Sequence, residues 1–148
     1  MKIALGADHA GFELKALLVA TLEEWGHDVI DLGTTNGSDS VDYPDFGAAV
    51  GHRVADGDAD LGVAVCGSGI GISIAANKIP GIRAALVHDA TSARLAREHN
   101  HANVLCMGAR LIGPPVAQDA LAAWLGADLG GGRHLARIEK LSQLDQRA

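Results

Sequence analysis

Cysteine is scarce in this chain of 148 residues: there are two, Cys66 and Cys106, far apart in sequence. They form no CxxC motif, no zinc-ligand spacing and no disulfide framework, and two lone thiols point to a reducing compartment, the cytoplasm. Aromatic residues make up only 3% of the chain, so the core must come from Ala, Val, Ile and Leu, as in a parallel sheet covered by helices. Positive charge is short too. Lys and Arg number 12 against 18 Asp and Glu, a net charge of −6, which argues against nucleic acid and against an anionic membrane as partners. Any anionic ligand must therefore be held by local groups. No apolar run is long enough to span a bilayer, and the start of the chain shows no basic segment followed by an apolar one, as a secretion signal would. With 48% hydrophobic and 20% charged residues, residues 1–148 are expected to form one globular domain, with no room for a separate substrate domain.

What the chain does have is concentrated in residues 61–78, LGVAVCGSGIGISIAANK. Residues 61–65 predict a buried strand and 70–78 a helix, and Gly67, Gly69 and Gly71 let the backbone turn sharply between them. Cys66 then stands at a strand's carboxyl end. Glycines there leave main-chain N–H groups uncovered, free to point with the helix dipole at an anion or at an oxygen that becomes anionic during reaction. A buried cysteine alone is most often a small core hydrophobe; beside such donors it is a candidate base or nucleophile. The same residues exclude rivals. A dinucleotide-binding fingerprint needs a third glycine where Ile72 stands, and a nucleotide phosphate loop needs a Gly-Lys-Ser/Thr ending. A cysteine phosphatase would need arginine at Ile72, and a response-regulator-like domain an acceptor aspartate at Cys66.

Strand patterns recur at residues 2–6, 28–32, 61–65, 83–87 and 104–107, with helical patterns between them. Such alternation predicts a doubly wound parallel sheet. Leu14, Leu17, Leu18, Leu22 and Trp25 stripe the first helix, which Gly26 stops. A second helix starts near Pro44, Asp89 caps one running to about Asn100, and Pro114 and Pro115 suit the first turn of another that ends near Gly126. A last helix carries Leu135, Ile138, Leu141 and Leu144 on one side, with no strand after it. That stripe must be buried against its own domain or against a symmetric partner.

In such sheets, loops leaving the carboxyl ends of strands gather on one edge, where ligands bind. Three loops are expected to meet: the Asp8-His9 turn, the glycine loop at Cys66, and the segment around His88 and Asp89. Asp8 could simply cap the first helix, yet Asp-His there also supplies a carboxylate and an imidazole to one crevice. His99 and Asn100 end the fourth helix, with His99 a candidate acid or base. His99 and His101 lack a placeable third metal ligand, so no metal is expected. Arg133 and Arg137, four apart on one helix face, are either a solvated pair or a phosphate clamp.

Several separated motifs then occur in one order: GADHAGFELK, DYPD at residues 42–45, CGSGIGISIAANK, GIRAA, EHNHANVLCMGAR and GGRHLARI. In these the chain resembles the ribose-5-phosphate isomerase B group, which includes galactose-6-phosphate and allose-6-phosphate isomerases. The resemblance covers nearly the whole chain. It implies a three-layer α/β/α, Rossmann-like domain with a five-stranded parallel sheet and an extra C-terminal helix over residues 133–146. It also implies isomerisation of a sugar phosphate through a cis-enediolate, without metal or organic cofactor. On matching positions, Cys66 would be the base, with Ser68 and the N–H groups around Gly67, Gly69 and Gly71 holding negative charge. His99 would open the sugar ring, and Asp8 and Asn100 would orient hydroxyls. His9, Arg110, Arg133 and Arg137 would bind the phosphate, and Tyr43 would line the sugar pocket. Some members use a glutamate near the glycine loop; Ala75, Ala76 and Asn77 here fit the cysteine subtype. The resemblance further implies a homodimer, or a tetramer, whose active sites are shared between subunits, the late arginines reaching across. Chain length of the sugar is left open, as are a noncatalytic subunit and the role of His88.

Overall fold

The computed structural model describes residues 1–145, so the last position of the expected C-terminal helix, residue 146, lies outside the described residues. Strand and helix alternate as β1 (Lys2–Ala7), α1 (Phe12–Glu24), β2 (Asp28–Asp31), α2 (Tyr43–Ala55), β3 (Leu61–Cys66), α3 (Ile70–Asn77), β4 (Ala84–Leu86), α4 (Ala90–Asn100), β5 (Val104–Gly108), α5 (Pro114–Leu125) and α6 (Arg133–Leu144). All strand pairs are parallel, in the order β2-β1-β3-β5-β4. The apolar runs of β3 and β5 are buried end to end, while the edge strands β2 and β4 are short and partly exposed, which limits pairing with other chains.

Successive side chains point to opposite faces of a strand, and each face meets its own helical layer. Ile3, Leu5, Val63, Val65, Leu105 and Met107 pack with Leu18, Leu22, Leu121 and Trp124 on the side of α1, α4 and α5. Ala64, Cys66, Val104 and Cys106 pack with Val50, Ile72 and Ala76 on the side of α2 and α3. The second layer sits close: a Cβ on Gly62 would lie 2.5 Å from Val50, so glycine there lets α2 rest on the sheet. The expected three layers are present.

Trp124 is the largest fully buried side chain, and its Nε1 donates to the Ala102 carbonyl at 3.2 Å. Trp124→Ala removes both the volume and that bond, and is expected to lower stability by about 3–5 kcal/mol. Denaturant titration reads this as an earlier midpoint at unchanged slope.

Helix ends follow the local signals. Asp89 accepts the Ser92 N–H at 2.6 Å and forms a reciprocal capping box with it, and Pro114 opens α5. The stripe on α6 is another matter: none of the helix's residues is buried, and Leu135 and Leu144 are each 53% exposed. Among the described residues, its own domain leaves it largely uncovered. The helix is tethered at its ends instead, where Asp145 accepts the Gly81 N–H at 2.8 Å and His134 stacks on His99.

Candidate active site

The chain passes from β1 outward to β2 and returns to β3 on β1's other side. The sheet's reversal point therefore lies between the carboxyl ends of β1 and β3, where splayed loops leave a crevice. An open cleft of about 380 Å³ occupies it, lined by Asp8, His9, Tyr43, Cys66, Ser68 and Arg110 among others.

Cys66 ends β3 and is 4% exposed, and its Sγ accepts the Gly69 N–H at 3.1 Å. That bond depends on glycine. Gly69 has φ +77°, and a Cβ there would lie 2.5 Å from Leu86 and 2.7 Å from the Met107 backbone, so no L side chain fits the turn that brings the head of α3 onto the sulfur. Ser68 Oγ accepts the Ile70 N–H at 3.2 Å, leaving its own proton to donate. Arg110, from the loop after β5, lays its guanidinium over Gly67, and its main-chain N–H donates to the Gly67 carbonyl at 3.0 Å.

On the other wall, Asp8 is 6% exposed, and its Oδ1 accepts the Gly11 N–H at 3.1 Å. Asp8 thus fixes its own turn and still lines the cleft, so both readings of this residue apply. The Asp8 N–H also donates to the Val65 carbonyl at 3.3 Å, tying the two loops together. His9 receives the Val41 N–H on Nδ1 at 3.2 Å. Tyr43, at the start of α2, lies so close to Gly71 that a Cβ there would meet its ring at 2.5 Å.

The loop after β4 is not part of this cleft, contrary to the sequence expectation. β5 is inserted between β3 and β4, so the loop after β5 takes that place with Arg110. His88 and Asp89 are engaged with Ser92 at the start of α4.

His99, Asn100, Arg133 and Arg137 also lie elsewhere. α4 leaves the carboxyl end of β4 and runs back about 16 Å to the amino end of β5, which puts His99 and Asn100 at the opposite edge of the sheet from Cys66. There Arg83 Nε donates to the Asn100 and His101 carbonyls, each at 3.1 Å, and His101 closes the helix in a left-handed conformation at φ 49°. Arg133 and Arg137 start α6 beside them. Between these arginines stands His134, whose ring stacks on His99 with centroids 4.4 Å apart. Its imidazole is held below its ordinary pKa by desolvation, then by His99 and the two arginines. Sequence reasoning passed over His134; its signal was its place between Arg133 and Arg137. Among the described residues no group of three or more His, Cys, Asp or Glu is arranged to hold a metal ion. Cys106 is fully buried in β5, and burial pushes its thiol up.

The doubly wound α/β domain thus brings a thiol, a carboxylate and an imidazole to one cleft at its switch point, a set of groups able to serve acid–base chemistry on a small polar molecule. The chain belongs to the Ribose/Galactose Isomerase family, which it matches over residues 3–141. It is 49% identical over 146 residues to ribose-5-phosphate isomerase B of Escherichia coli (strain K12), covering 99% of this chain and 97% of that protein. D-erythrulose-4-phosphate isomerase of Pectobacterium atrosepticum is 40% identical over 141 residues, covering 95% and 93%. The solved structure of Clostridium thermocellum ribose-5-phosphate isomerase B superposes with a TM-score of 0.97 at 47% identity, covering 99% of both chains. The family read from separated motifs thus extends over the whole fold.

Proposed function

We propose that this protein interconverts D-ribose 5-phosphate and D-ribulose 5-phosphate, with Cys66 as the base. The observation that carries this is the Cys66 sulfur, set in the cleft at 3.1 Å from the Gly69 N–H and sharing that cleft with Asp8 and Ser68. In the open-chain aldose, the thiolate takes the proton from C2. The C–H pair becomes the C1=C2 double bond, and the carbonyl pair moves onto O1. Glycine-loop N–H groups and the Ser68 hydroxyl stabilise the cis-enediolate as this charge develops. The O2 proton passes to O1, C2 becomes the carbonyl, and the thiol returns its proton to C1. One base on one face serves both carbons.

His99 is the proposed acid–base group for ring opening, with Asp8 and Asn100 orienting hydroxyls. His9, Arg110, Arg133 and Arg137 bind the phosphate, and Tyr43 lines the sugar. These residues occupy two edges of one chain, so a second copy must bring His99, Asn100 and the late arginines to the Cys66 cleft. A homodimer is the smallest assembly that does so, and the uncovered stripe of α6, with Ile70 and Ile74 exposed on α3, supplies apolar surface for it. The reducing cytoplasm suits a thiol base.

Arg137→Ala is expected to raise KM for ribose 5-phosphate about 10- to 100-fold, the loss of a charged hydrogen bond, with kcat changed only a few-fold. Initial rates across substrate concentration separate the two constants.

A tetrose phosphate is the second reading, favoured by the Pectobacterium atrosepticum relative. Ketose formation in excess chelator, from ribose 5-phosphate, allose 6-phosphate and erythrose 4-phosphate side by side, tests both. Fast turnover of the pentose supports the proposal; turnover only of another sugar keeps the chemistry and changes the substrate. Inactivity on all three would overturn it.

A further inference from the structure

We infer that the main chain of Val41 fixes His9 as its Nε2–H tautomer, and that buried Lys15 is the positioning residue that keeps Val41 in place. A backbone N–H can only donate, so its contact at 3.2 Å makes Nδ1 of His9 an acceptor. The neutral ring then carries its single proton on Nε2, the nitrogen left for the cleft that His9 lines. The other tautomer would turn a lone pair toward phosphate oxygens.

Val41 ends a polar segment between β2 and α2 that has no regular structure of its own. Its root is held by Lys15, which is 2% exposed on α1. Lys15 Nζ donates to Asp31 Oδ1 at 2.5 Å and to the Thr34 carbonyl at 3.0 Å. Asp31 Oδ1 also accepts the Gly33 N–H at 3.0 Å. Gly33 and Thr34 pair in turn with Ala7, at 2.9 and 2.8 Å, and Ala7 immediately precedes Asp8 and His9. Midway along, the segment passes close to the His9 turn, where a Cβ on Gly37 would lie 3.6 Å from the His9 carbonyl. A buried ammonium is rare without a task. Here it joins α1, β2 and the His9 turn.

The phosphate role of His9 rests on the proposed function, whereas its tautomer does not. Nitrogen-15 NMR of the imidazole in the substrate-free protein, at about pH 8.5 where an ordinary histidine is neutral, is expected to show Nδ1 as the acceptor and Nε2 as the N–H. A protonated Nδ1 would overturn the inference. In kinetics, His9→Gln keeps an amide nitrogen near Nε2, while His9→Asn keeps only an acceptor near Nδ1. KM for ribose 5-phosphate is expected to rise about 10-fold more in His9→Asn, one hydrogen bond's difference; equal rises would overturn the inference. Lys15→Met should raise KM in the native background and add nothing further on His9→Asn, the mark of residues acting together. Independent, multiplying effects would reduce Lys15 to a structural residue. Should Lys15→Met fail to fold, Asp31→Asn, at a side chain 46% exposed, completes the same cycle. Absence of turnover in the native protein would fall on the proposed reaction, and the imidazole spectrum would still decide the tautomer.

Discussion

Cys66→Ala is expected to lower kcat for ribose 5-phosphate by about 10²- to 10⁴-fold, the usual contribution of a positioned base, while KM moves only a few-fold. The proposed phosphate ligands are untouched by the change, so binding persists. No neighbour takes over. Asp8 has one oxygen committed to Gly11, and Cys106 is fully buried with its thiol pushed up. The fold should tolerate the loss of one sulfur from a strand end. Exchange of the C2 hydrogen of substrate with solvent deuterium provides the direct measurement: it should disappear with turnover in Cys66→Ala, and rapid exchange in that variant would remove cysteine as the base.

Mixing two inactive proteins is expected to restore activity. His99→Asn should be defective on ring-closed substrate, as Cys66→Ala is on proton transfer, and each homodimer would carry two faulty sites. In a mixed dimer with shared sites, one site collects both substitutions and the other collects neither. Random exchange of equal amounts makes half the dimers mixed, each with one intact site, so activity should return to about a quarter of native. The prediction follows from the placement of His99 and Cys66 at opposite edges of one chain. Denaturing and refolding the two variants together, against each refolded alone, measures it. No recovery would mean that each chain builds its site alone and would overturn the shared arrangement.

How much of this was legible in sequence depended on whether a signal was local. Apolar runs and glycine or proline punctuation placed each strand and the start of each helix to within about two residues, and Asp89 and Pro114 marked helix starts through capping chemistry that needs no tertiary partner. The Cys66 loop was legible for the same reason. Gly69 announces a conformation that only its own backbone must adopt. Strand order was not legible, because inserting β5 between β3 and β4 leaves no local trace, and the expectation for His88 and Asp89 failed on that point alone. The role of α6 was left open because an amphipathic stripe states that it needs cover without stating whose. Lys15 reads in sequence as one more charge on a helix; only the fold brings the end of β2 to its ammonium.

The insertion of β5 also orders events in time. β4 has only one neighbour in the sheet, and that neighbour is made after it. As the chain emerges during synthesis, residues 84–86 can find no pairing partner until residues 104–108 follow, so the half of the sheet beyond β3 cannot close progressively. The loop that presents Cys66 is subject to the same delay. A Cβ on Gly108 would lie 2.5 Å from the Ser68 carbonyl, so the end of β5 is the surface against which the glycine loop rests. The turn that carries Cys66 therefore acquires its backing only when the last strand arrives.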